Sequence, residues 1–431
     1  VDRVRRRLSV LTVGCKSSFA DSATIVKAAA MAGFEIVPAG DEADVVFVNG
    51  CTVTHRADRD NRALVRRTRR RLPGAVLVMS GCFPATADDE IRRGIPEVDH
   101  WLPAGQDVAP LLNSLSGEGF DGYTLTDYAA DRLLGHKRTF LKIQDGCDAR
   151  CAYCIVPVAR GGHRSEPLDS IVGRAVESEC DGASELLLTG IHIGRYGTDR
   201  GESDGLATLV RTLLARTRRP RIRLGSVEPL ELSKELLALF GESPRLCPHL
   251  HVPLQSGSDA LLRKMRRPYA ASQFVEAVGR AREANPAIRI GADVLVGFPG
   301  ESAADFEATR EAVIASGIDY LHVFPYSARP GAESARWKDD VPSTEKKARV
   351  AELARLDRTI RDRFLAGRVG TIVEVLVQRS DPAAGTASGV TEFGVDARFP
   401  GPSSLLCATV GVRVEGMRDG CLTGRLGGPH A

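Results

Sequence analysis

Short apolar runs alternate with stretches of helical periodicity along the first hundred residues: LSVLTV, a helix near Asp21 to Ala32, DVVFV, a basic helix through Arg71, AVLVM, and a further helix after Ala85. This alternation predicts α/β layering around a parallel sheet. Three of the runs end alike, in VGC at Val13 to Cys15, NGC at Asn49 to Cys51 and SGC at Ser80 to Cys82. In open parallel sheets ligands bind beyond the carboxyl ends of strands, so the pattern predicts that these three cysteines converge on one site. A glycine before each thiol is expected to let the backbone approach a bulky ligand closely.

The pattern then changes twice. Residues from about Leu102 to Lys137, with Gly117, Gly119 and Gly122 and little periodicity, read as a linker or hinge. Beyond them come six strand candidates, TFLKI, ELLLT, RIRLG, HLHVPL, IRIGADVLVG and YLHVFPY, each followed by helical pattern or a polar loop. Successive βα units of this kind predict an incomplete barrel whose chemistry sits on the loops at the carboxyl ends. After a charged helix from about Ser343 to Ala366, short alternating segments (TIVEVLVQ, TASGVTEFGV, ATVGVRVEG, CLTGRL) predict a small β-barrel. The expected domains are therefore 1–128, 132–366 and 368–431, an α/β protein with an all-β appendage.

Composition narrows the classes. Hydrophobic content of 43% and charged content of 26% exclude disorder, and 5% aromatic content argues against a protein held together by stacked rings. A net charge of +3 leaves no global basic field, so nucleic-acid contact must come from local patches. Two are visible: Arg66, Arg67, Arg69, Arg70 and Arg71, and Arg3, Arg5, Arg6 and Arg7. RVRRRLSVLTVGC superficially resembles a secretory leader, but the apolar part from Leu8 to Val13 is too short, and no other segment approaches a membrane span. The expectation is a cytoplasmic protein without membrane contact. Ten cysteines do not resemble a disulfide scaffold. Six fall in two groups, while Cys180, Cys247, Cys407 and Cys421 are scattered.

CDARCAYC carries the strongest chemical signal. Cys147, Cys151 and Cys154 directly follow the first barrel strand, and three thiolates on one loop can hold three irons of a four-iron cluster, leaving the fourth without a protein ligand. The alternative is a structural zinc site completed by His163, a closed tetrahedron. The cysteine spacing matches the radical S-adenosylmethionine superfamily, and the six βα units resemble its partial barrel. Tyr153 matches the aromatic residue common between the last two cluster cysteines there. A three-cysteine α/β domain in front and a small barrel behind make the chain resemble the methylthiotransferase family. FLKIQDGCDARCAYCIVPVARGGHRS, LTGIHIGRYG, RIRLGSVEP, HLHVPLQSGSD and HVFPYSARPG are similar to the branch acting on N6-threonylcarbamoyladenosine in tRNA. The isopentenyladenosine and ribosomal-protein branches match less well around Gln144, Asp145 and Ser226 to Pro229.

The resemblance implies that Cys15, Cys51 and Cys82 hold a second four-iron cluster, whose open iron carries the sulfur to be delivered. It implies S-adenosylmethionine as cofactor, an electron donor such as flavodoxin or ferredoxin, a sulfur donor, tRNA as partner and a monomeric enzyme. Tyr153, Thr189, Gly190 with Ile191, Ser226, Glu228, Gln255 with Ser256, and Asp293 with Gly297 stand at cluster-loop or strand-end positions suited to the cofactor. Arg160 suits a carboxylate or phosphate. For RNA the candidates are Arg66, Arg67 and Arg70 on the basic helix, and Arg368, Arg379, Arg398, Arg413 and Arg418 on the terminal barrel, which resembles the RNA-binding TRAM module. Phe393 and Phe399 are that module's candidate stacking rings. The chain departs from the family pattern at Ser18 and Phe19, where an asparagine in a polar segment is usual, and at Gly50, where a threonine is common. The reading of another class is a non-catalytic, zinc-stabilised RNA-binding protein.

Overall fold

The computed structural model describes residues 5–116 and 121–427, so Arg3, Gly117 and Gly119 lie outside the described residues. The chain divides into two compact units. The first runs to Gly182 and also takes Thr189–His192 and Ser327–Arg336; the second takes Ala183–Leu188, Ile193–Tyr326 and the chain from Trp337 onward.

The first unit is built on strands β1 (Arg7–Val13), β2 (Glu35–Ile36), β3 (Val45–Gly50), β4 (Val76–Gly81) and β5 (His100–Pro103), all parallel in the order β2-β1-β3-β4-β5. Both faces are covered, which explains the unbroken apolar runs. Val45, Phe47 and Val78 pack with Ala23, Val26 and Phe34 on one side; Val46, Val48 and Leu77 pack with Val65, Phe83 and Ile95 on the other. Helix α1 (Lys16–Met31) thus lies on the first face and α2 (His55–Arg71) on the second. The strand order reverses between β1 and β3, and such a switch point opens a crevice at the carboxyl ends.

The expected linker is largely packed structure. It contains the helices Ala109–Leu115 and Asp127–Leu133, and Leu112 and Ala130 belong to the core beside α1. These helices are too short to show periodicity, and their order comes from that burial. A Cβ at Gly122 would lie 1.9 Å from the Met31 carbonyl oxygen, so this glycine marks a close approach rather than a free hinge.

The strand Glu185–Thr189, which belongs to the second unit up to Leu188, is followed in that unit by Arg221–Leu224, His249–His251, Arg289–Val296 and Tyr320–Pro325 as successive parallel neighbours, joined in part by single bridges. The helix Ser343–Ala366 leads to a closed barrel of five strands: Ile372–Asp381, Thr386–Thr391, Asp396–Pro400, Cys421–Leu426 and Thr409–Arg418. The sequence pattern offered only four segments for it; Asp396–Pro400 is the additional strand. Arginines fix this barrel to the parallel strands. Glu185 receives Arg221 at 2.6 Å and Arg223 at 3.0 Å, and the same guanidinium groups donate to the carbonyls of Val390 and Thr391, each at 2.8 Å. A buried carboxylate with two arginines and carbonyl acceptors satisfies its charges locally.

Candidate functional site

Register explains how residues far apart in sequence meet. Val13 pairs with Gly50 and Gly50 with Gly81, so Cys51 and Cys82 leave adjacent strands at the same level and Cys15 follows one residue later. Cys15 caps α1, Cys51 lies just ahead of α2, and Cys82 opens the short helix Cys82–Thr86. Cys51 and Cys82 are buried, whereas Cys15 is exposed. Burial pushes the Cys51 thiol up, against a hydrogen bond from the Val53 N–H, and pushes Cys82 up to about 12 despite the nearby Arg160 guanidinium.

Two of the glycines also sit tightly against the protein itself. A Cβ on Gly81, which sits at φ +91°, would lie 2.2 Å from Asn49 Oδ1. One on Gly50 would lie 2.3 Å from Met79 Cε and 2.7 Å from Asn61 Oδ1. Contact between neighbouring elements excludes side chains there. The departures are also packed: Ser18 Oγ is 3.7 Å from Cys15 Sγ, and Phe19 meets His136 and Phe140 with ring centroids 4.7 and 5.3 Å away.

The second trio is local. The Cys147 N–H donates to Gly161 at 3.0 Å and the Cys154 N–H to Cys151 at 3.0 Å, closing the loop, while the Ala149 N–H points at Cys147 Sγ from 3.4 Å. His163 Nδ1 meets Gln144 at 2.9 Å and its Nε2 meets Ser165 at 3.2 Å. Four ligands about 2.3 Å from one zinc would stand about 3.8 Å apart. Among the described residues, neither cysteine trio closes to within 4.8 Å.

Residues that the spacing did not reveal tie the two trios together. Arg160, buried, donates through Nε to Cys82 Sγ at 3.0 Å, through Nη2 to Asp21 at 2.7 Å and through Nη1 to Asp145 at 3.1 Å. The carboxylate partners expected of Arg160 are thus Asp21 and Asp145, met inside the fold. Burial acts against its charge, but Asp21, Cys82 and Asp145 more than offset it. Lys142 joins the same network, bonding Asp21 at 2.8 Å. Gln144 accepts the N–H groups of Ile191 and His192, His192 Nδ1 lies 3.4 Å from Cys147 Sγ, and Ser17 donates to the Gly190 carbonyl at 2.9 Å. Arg329 binds Thr52 at 2.8 Å and Asp58 at 2.6 Å, just past Cys51, while the Ser334 N–H donates to Ala152 inside the local trio. Beside these groups lies a cavity of about 530 Å³ lined by Asp21, Asn49, Ser80, Lys142 and Asp145 among others.

Of the expected cofactor contacts, Tyr153, Thr189 and Gly190 belong to the first unit, and Ser226, Glu228, Gln255 and Asp293 to the second. Glu228 is held by Arg267, Gln255 takes φ +64°, and Asp293 Oδ1 is engaged by His251 at 3.0 Å and His322 at 3.4 Å. Arg66, Arg67 and Arg70 are exposed, whereas Arg69 is spent on Glu97, Asp99 and Ala75. Arg413 is exposed. Arg368 lies over the rings of Phe364 and Phe393, at 4.8 and 4.9 Å. The stacking expectation fails, since Phe393 and Phe399 are 7% and 1% exposed and form part of the barrel core.

A model described as Uncharacterized protein family UPF0004 matches residues 7–103, and one for the Radical SAM superfamily matches residues 141–313. The protein named threonylcarbamoyladenosine tRNA methylthiotransferase MtaB of Thermotoga maritima is 31% identical over 402 residues, covering 92% of both chains. Its namesake from Aquifex aeolicus is 34% identical, over 85% of this chain and 91% of that one. The chain belongs to this methylthiotransferase family. Other family members are also similar: a tRNA-2-methylthio-N6-dimethylallyladenosine synthase of Akkermansia muciniphila is 29% identical over 95% of this chain and 96% of its own length. The fold is shared with the radical S-adenosylmethionine methyltransferase TsrM of Kitasatospora setae, with TM-score 0.53, 15% identity and 75% of each chain covered. Membership of the radical S-adenosylmethionine superfamily brings one four-iron cluster and S-adenosylmethionine. Among the described residues no helix is long and apolar enough to cross a membrane.

Proposed function

We propose that this chain is a tRNA methylthiotransferase acting on C2 of N6-threonylcarbamoyladenosine at position 37, next to the anticodon. The observation that carries the reading is the pair of cysteine trios in one unit, joined by Arg160 and by the Thr189–His192 and Ser327–Arg336 segments. One relative named for the threonylcarbamoyl substrate reaches 34% identity and one named for the dimethylallyl substrate 32%, so the choice of base rests chiefly on the match around Gln144, Asp145 and Ser226 to Pro229. In this reading Cys147, Cys151 and Cys154 hold the radical-forming cluster, and Cys15, Cys51 and Cys82 hold a second.

When bound, the first cluster and S-adenosylmethionine supply a 5′-deoxyadenosyl radical, and the second cluster supplies the sulfur. The protein's part is to position, deprotonate and shield. Cys51 and Cys82 must lose their protons on loading, against the burial that raises both. The Arg160 guanidinium, 3.0 Å from Cys82 Sγ, favours the thiolate and fixes its direction. His192 and the Ala149 N–H orient Cys147. Tyr153, Thr189, Gly190, Ser226, Glu228 and Gln255 are the proposed contacts of S-adenosylmethionine. Arg66, Arg67, Arg70 and Arg413 are the proposed contacts of tRNA phosphates. A flavodoxin- or ferredoxin-like reductant and a separate sulfur donor complete the scheme, with the enzyme acting as a monomer in the cytoplasm.

Nucleoside mass spectrometry of tRNA from a deletion strain is the test. Loss of 2-methylthio-N6-threonylcarbamoyladenosine, restored by the wild-type gene, is the expected result. Loss of the isopentenyl counterpart, or of a methylthio group on a ribosomal protein with tRNA unchanged, would replace this substrate with another.

A further inference from the structure

Three side chains in the second unit converge without any of the six grouped cysteines: the ligand atoms of His251, Asp293 and His322 lie within 4.8 Å of one another. The register explains why. Asp293 pairs with His322, while Gly291, two residues earlier, pairs with His251 on one side and Tyr320 on the other. Residues two apart in a strand share a face, so all of these side chains project from one surface of the sheet. Gly291 leaves room for Tyr320, since a Cβ there would lie 2.0 Å from the tyrosine ring. The freed space lets Tyr320 Oη reach both His251 Nδ1 at 3.0 Å and His249 Nε2 at 2.8 Å.

We propose that His251, Asp293 and His322 form a binding site for a divalent transition-metal ion, with Tyr320 and His249 as its supporting hydrogen-bond partners. Two imidazoles and one carboxylate are a donor set of zinc or iron(II), and three protein ligands leave positions open for water or another oxygen donor. Coordination through His251 Nε2 puts that ring's proton on Nδ1, where Tyr320 Oη accepts it; Tyr320 in turn donates to His249 Nε2. An oxygen partner on the second ring nitrogen is how proteins orient metal-bound histidines. The ligands grade from buried His251, 6% exposed, to His322, 50% exposed, so an ion can enter from the His322 side.

The test uses the full chain, reconstituted anaerobically to constant iron content, freed of excess iron and dialysed against micromolar zinc chloride. Zinc and iron are counted in the same samples by mass spectrometry, so a shortfall of clusters is seen separately from a failure of this site. The expected result is one zinc per chain in the wild type, lost in His322→Ala and Asp293→Asn at unchanged iron, with affinity about 10–100-fold weaker in Tyr320→Phe. Because His322 is half exposed, its variant reports on the site rather than on folding. A wild type that retains no zinc, or variants that retain as much as the wild type, would overturn the proposal.

Discussion

The two cysteine trios of the first unit are assembled in opposite ways. Cys147, Cys151 and Cys154 share one loop closed by two backbone hydrogen bonds. Cys15, Cys51 and Cys82 come from three strand ends and meet only because β1, β3 and β4 pair in register. The first arrangement is local and depends on a turn. The second depends on the sheet, so in the proposed reading loading of that trio and the stability of the surrounding domain would be linked.

The most direct way to break this comparison is to remove one ligand from each trio. Cys147→Ala should abolish 5′-deoxyadenosine formation and lower iron from about eight to about four per chain. Cys51→Ala should lower iron equally while S-adenosylmethionine cleavage continues without methylthio transfer. Iron near four in the wild type, unchanged by Cys51→Ala, would end the two-cluster reading. Next in size are the glycines. Gly81→Val meets both φ +91° and the Asn49 contact, and should cost about 2–4 kcal/mol in denaturant melts while emptying only the dispersed trio. Gly146→Ala, at φ +68° with its Cβ 1.9 Å from the Gly162 carbonyl oxygen, should empty only the local one.

Arg160→Met removes the link between Cys82 and the Asp21 and Asp145 carboxylates, leaving buried charge poorly matched. A loss of about 3 kcal/mol in the cluster-free protein is expected from urea unfolding. Reversing Arg66, Arg67 and Arg70 to glutamate should weaken tRNA binding about tenfold at low salt, with the difference shrinking as salt rises. The smallest effect concerns pH. The Cys82 pKa is raised from 9.0 to about 12, so its contribution to stability is full below pH 9 and is lost as pH climbs toward 12. The cluster-free wild type should therefore lose more stability than Cys82→Ala across that range, read from melting temperature.

The same contrast explains what could be read from sequence. A local trio announces itself by spacing, and the dispersed trio was legible because every contributing strand ends in the same Gly-Cys pair. The charged helix Ser343–Ala366 was equally visible, being long and well bounded. Arg160 was legible as a carboxylate partner, but its burial beside Cys82 was not, because Asp21 lies 139 residues away and burial is a tertiary outcome. Arg329 and His192 escaped for the same reason. The strand Asp396–Pro400 was missed because only two inward positions, Ala397 and Phe399, mark its alternation. That alternation, once seen, also places Phe399 inside the barrel and away from any base. The apparent linker shows the reverse error, in which short helices without periodicity were taken for loop although Leu112 and Ala130 are core.

Gly50 has a consequence for comparing this chain with its relatives. The space a threonine side chain would need at that position is filled by Met79 and Asn61. Introducing threonine alone should therefore damage the protein, while the same change alongside smaller residues at both 79 and 61 should be tolerated. The effect of one substitution is conditional on others, an epistasis that single-site exchange between branches of the family would misread as loss of a functional residue.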